Sequence, residues 1–269
     1  MPQQHSAVRR TKSVVRSLLL LFALAFLLPL AAHALWWLMP GNPLHGRTSD
    51  WSSARILPPA DEAPDATVRV YHAPAARWRG IFSTHSWIVV KEKGARHYSR
   101  FDVTGWGQPI KVDRWAPDAR WYGSTPRLVA AVNGPAAEAL IPRIRAAVAS
   151  YPHGGNGDYR VWPGPNSNTF VATVLADVPE AGIALASNAI GKDFRGPALF
   201  MGLSPTRTGI QISVAGLLGL TIAWIEGVEI NMLGLVAGFD FRHVAIKLPG
   251  WGSLILIPRP EGDNVGGAR

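Results

Sequence analysis

Ser83-Thr84-His85-Ser86-Trp87-Ile88-Val89-Val90 sets a histidine at the head of an apolar, β-branched run, the composition of a buried strand. Trp162-Pro163-Gly164-Pro165-Asn166-Ser167-Asn168-Thr169-Phe170-Val171 is a proline-bounded turn feeding a helix, predicted from Asn168 to about Asp177 and stopped by Pro179. A hydroxyl at a helix N-terminus meets unpaired N–H groups and the positive end of the helix dipole. Both favour negative charge developing on a nucleophile or an oxyanion. His85 is therefore a candidate base and Ser167 a candidate nucleophile. Each also has an ordinary reading, Ser167 as a helix cap and His85 as a core histidine donating to a carbonyl.

Outward from these stretches the chain reads as mixed α and β. Thr67–Tyr71 alternates, as does His97–Val103 before the Gly105-Trp106-Gly107 turn, and both predict strands. On the second of these, Tyr98, Arg100 and Asp102 share one face. Asp102 is a candidate to orient a histidine base, and Arg100 a candidate clamp for an anionic substrate group, although a solvated strand face would look the same. Asn133-Gly134-Pro135 opens a helix running to about Ser150, which Pro142 should bend. From Gly209 onward, glycines interrupt short apolar runs, predicting a β-meander that packs on the main domain.

The N-terminus argues for export. Residues 1–17 carry Arg9, Arg10, Lys12 and Arg16 with no acidic partner, and Leu18–Met39 contains no Asp, Glu, Lys or Arg. Such a run is long enough to cross a bilayer as a helix, with the basic flank held in the cytoplasm and Trp36-Trp37 at the far interface. Cleavage at Ala32-His33-Ala34 is the rival reading. The Pro-punctuated residues 40–66 read as a linker. The flank takes much of the formal net charge of +9, so the exported body is only mildly basic and no nucleic-acid partner is expected.

Several chemistries drop out. The chain has no cysteine, which removes disulfides, thiolate nucleophiles and cysteine-ligated metals. The histidines lack zinc-site spacing, Gly154-Gly155-Asn156-Gly157 lacks the end of a phosphate-binding loop, and no serine sits in a Gly-x-Ser-x-Gly elbow. No metal or cofactor is expected. Glu226 and Glu229 lie three apart but need not converge in a strand–turn region.

Thr84-His85-Ser86-Trp87-Ile88-Val89-Val90 followed by Asn166-Ser167-Asn168-Thr169-Phe170 resembles the two signature segments of circularly permuted papain-like proteins. That superfamily includes permuted peptidases and lecithin:retinol-acyltransferase relatives. In it a strand histidine precedes Asn-Cys-Asn-x-Phe at a helix start. The resemblance implies His85 as base and Ser167 at the nucleophile's position, with Asn166 and Asn168 flanking it at the substrate. The departure is the serine itself. A thiol ionises readily beside a histidine, whereas a serine hydroxyl needs a base during attack. The span from about Tyr71 to Phe200 is also similar to a bacterial family known only as a domain of unknown function.

The expected architecture is α+β: a basic flank (1–17), a transmembrane anchor or signal (18–39), a linker (40–66), a permuted papain-like domain (67–205), a Gly-rich β region (206–258) and a disordered tail (259–269). The expected function is a single-pass envelope protein of the bacterial inner membrane, its body on the periplasmic or extracellular side. It contacts membrane lipid through its helix and acts on an unknown envelope substrate as a hydrolase or acyltransferase. The alternative is a catalytically inactive papain-like binding or scaffold module.

Overall fold

The computed structural model describes residues 13–40, 42 and 49–257. The expected disordered tail and most of the basic flank lie outside them. The first element, α1 (Ser13–Leu38), contains a π-helical segment at Ala23–Leu27 and is long and apolar enough to cross a membrane. At 1.5 Å per residue its 26 residues reach roughly 39 Å.

Five strands follow: β1 (Thr67–Pro74), β2 (Thr84–Lys91), β3 (Ser99–Val103), β4 (Ile110–Val112) and β5 (Arg127–Asn133). They form an antiparallel sheet in the order β4-β3-β2-β1-β5. All of β2 is buried, because both faces of the sheet are covered. On one face Val68, Val70, Ile88, Val90 and Phe101 pack under α2 (Gly134–Ala149) and α3 (Ser167–Ala176). On the other, Tyr71, Trp87, Val89 and Trp121 gather Trp51, Trp115 and Tyr122 around them. Edge strand β5 has no counterpart in the sequence reading; its residues are at best partly buried, which blurs the alternation a half-buried strand would show.

Two expectations need correction. Residues 49–66 are no open linker: Trp51 lies against Trp115, Trp121 and Tyr122, and the Asp118 carboxylate accepts from the Ser53 hydroxyl and the Ile56 amide. The burial of an indole and the pairing of a carboxylate stitch this segment to the body. The glycine-rich sheet also starts before residue 206. It has seven strands, β6 (Leu199–Leu203), β7 (Gly209–Val214), β8 (Leu218–Ala223), β9 (Gly227–Met232), β10 (Leu235–Asp240), β11 (Ala245–Leu248) and β12 (Gly252–Ile255), paired in chain order as an antiparallel meander.

Candidate functional site

β2 brings His85 onto the same sheet face as Trp87 and Val89, and the β2–β3 register puts Arg100 opposite Val89 with Asp102 two residues on. The three polar side chains meet there. His85 Nε2 donates to Asp102 Oδ1 at 2.7 Å. Arg100 donates to Asp102 Oδ2 through Nη2 at 2.6 Å and Nε at 3.1 Å, and to the Ala116 carbonyl through Nη1. Burial by itself would raise the Asp102 carboxyl, but the His85 and Arg100 charges and their hydrogen bonds outweigh it and hold the group below the usual carboxylate range. The imidazole lies flat on the Trp121 indole, with ring centroids 3.5 Å apart, and the Arg100 guanidinium stands 4.0 Å over the Trp87 ring. The histidine is therefore fixed by a carboxylate at its edge and an indole on its face.

The start of α3 comes to this place from the other side of the sheet. Asn166 is the helix cap: its side-chain oxygen accepts from the Asn168 and Thr169 amides, and the Thr169 hydroxyl accepts in return from the Asn166 amide. Its amide group donates to the Val161 and Ile190 carbonyls. Gly191 makes this possible, since a Cβ there would stand 2.4 Å from the Asn166 amide. Asn168 Nδ2 donates to the carbonyls of Thr84 and Ile190. One residue of the helix start is thus tied to the residue before His85. Ser167, between the two asparagines, is 3% exposed.

Tyr159 completes the cluster, and the sequence reading missed it. Burial pushes its phenol up to about 12, the Asp102 charge adds to this, and the Ser167 hydroxyl and N–H pull the other way. It therefore senses both halves of the site. Gly105 makes room for the ring, because a Cβ there would stand 2.8 Å from Tyr159 Cδ1. A lone tyrosine in an irregular loop gives no periodic signal, and only its neighbours in space reveal it.

His85, Asp102 and the helix headed by Ser167 come together, but among the described residues no hydrogen bond joins Ser167 to His85. The three expected substrate-binding residues have other employment. Arg100 is 1% exposed, with its donors committed to Asp102 and Ala116, so it clamps no incoming anion. Asn166 and Asn168 are buried and spend their amide donors on backbone carbonyls. All three hold the site in shape.

A second buried polar cluster lies between α3 and the seven-stranded sheet. Lys192 bridges Asp193 at 3.0 Å and Glu229 at 2.5 Å, and Lys247 reaches Glu229 at 2.6 Å. Burial opposes charge on both sides, yet the neighbouring carboxylates hold Lys192 above its ordinary value and the two lysines hold Glu229 below its own. The Glu226 carboxylate has partners of its own, accepting from the Thr206 amide and hydroxyl and the Ser204 hydroxyl, while its backbone carbonyl accepts from Lys247. Among the described residues no group of three His, Cys, Asp or Glu side chains is arranged to hold a metal ion.

Residues 65–194 match the family model described as Protein of unknown function (DUF3750). No curated protein and no solved structure shows significant similarity to the chain. The DUF3750 segment contains every member of the site, from His85 through Asp102 and Tyr159 to Ser167, together with Lys192 and Asp193 of the ion cluster. Helix α1 and all seven strands of the meander fall outside it.

Proposed function

We propose that this protein is a membrane-anchored hydrolase or acyltransferase of the circularly permuted papain-like kind, with Ser167 as nucleophile and His85 as base. The observation that carries the reading is the buried His85–Asp102 pair, 2.7 Å apart and backed by Arg100, beside the helix start that presents Ser167. With Nε2–H donated to Asp102, the imidazole keeps Nδ1 as its acceptor, the tautomer a general base needs.

The chemistry follows from the parts. Ser167 Oγ adds to a substrate carbonyl carbon while its proton passes to His85 Nδ1. The Asn168 and Thr169 amides are held by Asn166, so the resulting oxyanion would be met by the Ser167 N–H, taking the place that the Tyr159 oxygen holds at rest, and by the neutral Tyr159 phenol as a further donor. Collapse expels the leaving group, which takes the proton from His85. Water or an acceptor hydroxyl or amine then repeats the sequence on the acyl-enzyme in reverse.

Helix α1 would hold this domain on the bacterial inner membrane as a single-pass protein. Arg16 and the basic residues before it support a cytoplasmic N-terminus and a periplasmic body. A second reading, an inactive binding or scaffold module, draws on the missing Ser167–His85 hydrogen bond and on the 3% exposure of Ser167.

A serine-reactive fluorophosphonate probe on the detergent-solubilised full chain separates them. The enzyme reading expects labelling that is lost in Ser167→Ala and falls by roughly 10²–10⁴-fold in rate in His85→Ala. Labelling that survives Ser167→Ala defeats the mechanism, and none in the wild type favours the scaffold.

A further inference from the structure

The seven-stranded sheet is built inside out. Met201, Ile212, Leu220, Ile230 and Ala237 are successive cross-strand partners from β6 to β10, so they stand in one row on one face. The neighbouring rows on that face read Leu-Val-Leu-Met-Leu and Leu-Ile-Ile-Val-Phe. The opposite face carries Gln211, Thr221, Glu229 and Lys247, and these are buried against the body. The apolar rows point outward: Met201 is 68% exposed and Ile210 55%. A sheet covered on one side ordinarily shows water its polar residues, and an apolar patch of this extent marks a contact surface.

Its neighbour indicates the occupant. The Ala23–Leu27 segment of α1 packs on β10, where the outward-facing Ala237 is buried, unlike Ile230 in the next strand. Farther along, Trp251 Nε1 donates to the Pro29 carbonyl and its ring packs at a tilt against Trp36, while His33 Nδ1 bonds the Ile81 carbonyl. The contacts of the sheet and the turn before β12 run from Ala23 to Trp36, from inside the apolar span to its far end, so the sheet stands alongside the second half of the helix and not beyond its end. From Leu18 to Leu38 the exposed surface of the helix is leucine and alanine, and with the sheet it forms one apolar surface.

We propose that the outward face of this sheet lies against the acyl chains of a phospholipid bilayer, beside the spanning helix. The inference rests on the anchor reading given above. Lipid contact there leaves no backbone group unpaired away from the sheet edges, since the N–H and C=O groups are bonded within the ladder and only side chains meet the lipid. The DUF3750 site would then be held at the membrane surface, within reach of a lipid-linked or membrane-proximal acyl substrate.

The absence of cysteine makes the test direct. Single variants Leu24→Cys, Ile210→Cys, Leu220→Cys, Ile230→Cys and Lys93→Cys of the full chain are labelled with an environment-sensitive fluorophore and reconstituted in phosphatidylcholine vesicles. Three positions on the face guard against one that fails to fold. Doxyl-labelled lipid should quench the label at Leu24, Ile210, Leu220 and Ile230, and aqueous iodide only that at Lys93. If iodide quenches the three face labels while Leu24 stays lipid-quenched, this proposal falls and the anchor stands. If iodide also reaches Leu24, the anchor reading and this proposal fall together. Protection of the face labels from both quenchers means that protein covers the face, a second copy of the chain in this system, and likewise overturns the proposal.

Discussion

At the scale of single residues, the Arg100–Asp102–His85 chain is expensive to break. Removing the carboxylate charge leaves a guanidinium that is 1% exposed without its counter-ion. Asp102→Asn should therefore cost about 3–5 kcal/mol of stability, read from urea unfolding in detergent. A value near zero would mean that Arg100 finds another partner. His72 sets a pH limb. Burial, helped by the Arg127 charge opposite it in β5, pushes this imidazole from 6.5 down to about 4. Between those values the unfolded chain binds a proton that the folded chain does not, so stability falls as pH drops through that window. The melting temperature of His72→Gln should vary less with pH there than that of the wild type. Equal slopes would assign the limb to another group.

Among the elements, α2 and α3 show how a local rule bends to its surroundings. Pro142 lies inside α2, on its exposed side, and the helix runs through it from Gly134 to Ala149. The ring denies residue 142 its bond to the preceding turn, while Leu140, Ile141 and Ile144 hold the helix on the sheet. Pro142→Ala restores that bond without touching the core and should stabilise the protein by about 1–3 kcal/mol in the same unfolding assay. A loss of stability would show that the proline sets the helix's path over the sheet. Helix α3 is legible as a helix start, but it begins one residue before the expected Asn168: Asn166, not Ser167, is the cap, and Thr169 completes a capping box with it. The cap's further bonds to Val161 and Ile190 depend on Gly191, distant in sequence, and no local pattern announces them.

For the whole molecule, the ion cluster is the joint between the five-stranded domain and the meander. Lys192 and Asp193 come from the DUF3750 segment, Glu229 and Lys247 from the meander. Glu229→Gln leaves two buried lysines short of charge and should cost about 3–5 kcal/mol, part of which Glu229→Gln/Lys247→Met should recover. A double variant no more stable than the single would mean that the cluster is not coupled through these charges. The sequence alone was enough for the apolar N-terminal helix, the buried strand at His85, the capped helix at Ser167 and the glycine-turned meander, because each is a local pattern of hydropathy, capping or turn residues. Tertiary structure alone decided that Asp102 reaches His85, that Arg100, Asn166 and Asn168 are braces, that Tyr159 belongs to the site, and that Trp51 binds the supposed linker to the body. Those facts depend on register and on contacts between residues far apart in the chain. The direction of the meander is of the same kind. Alternation along its strands separates an apolar face from a polar one, but only packing against α3 and α1 determines which of the two is turned outward.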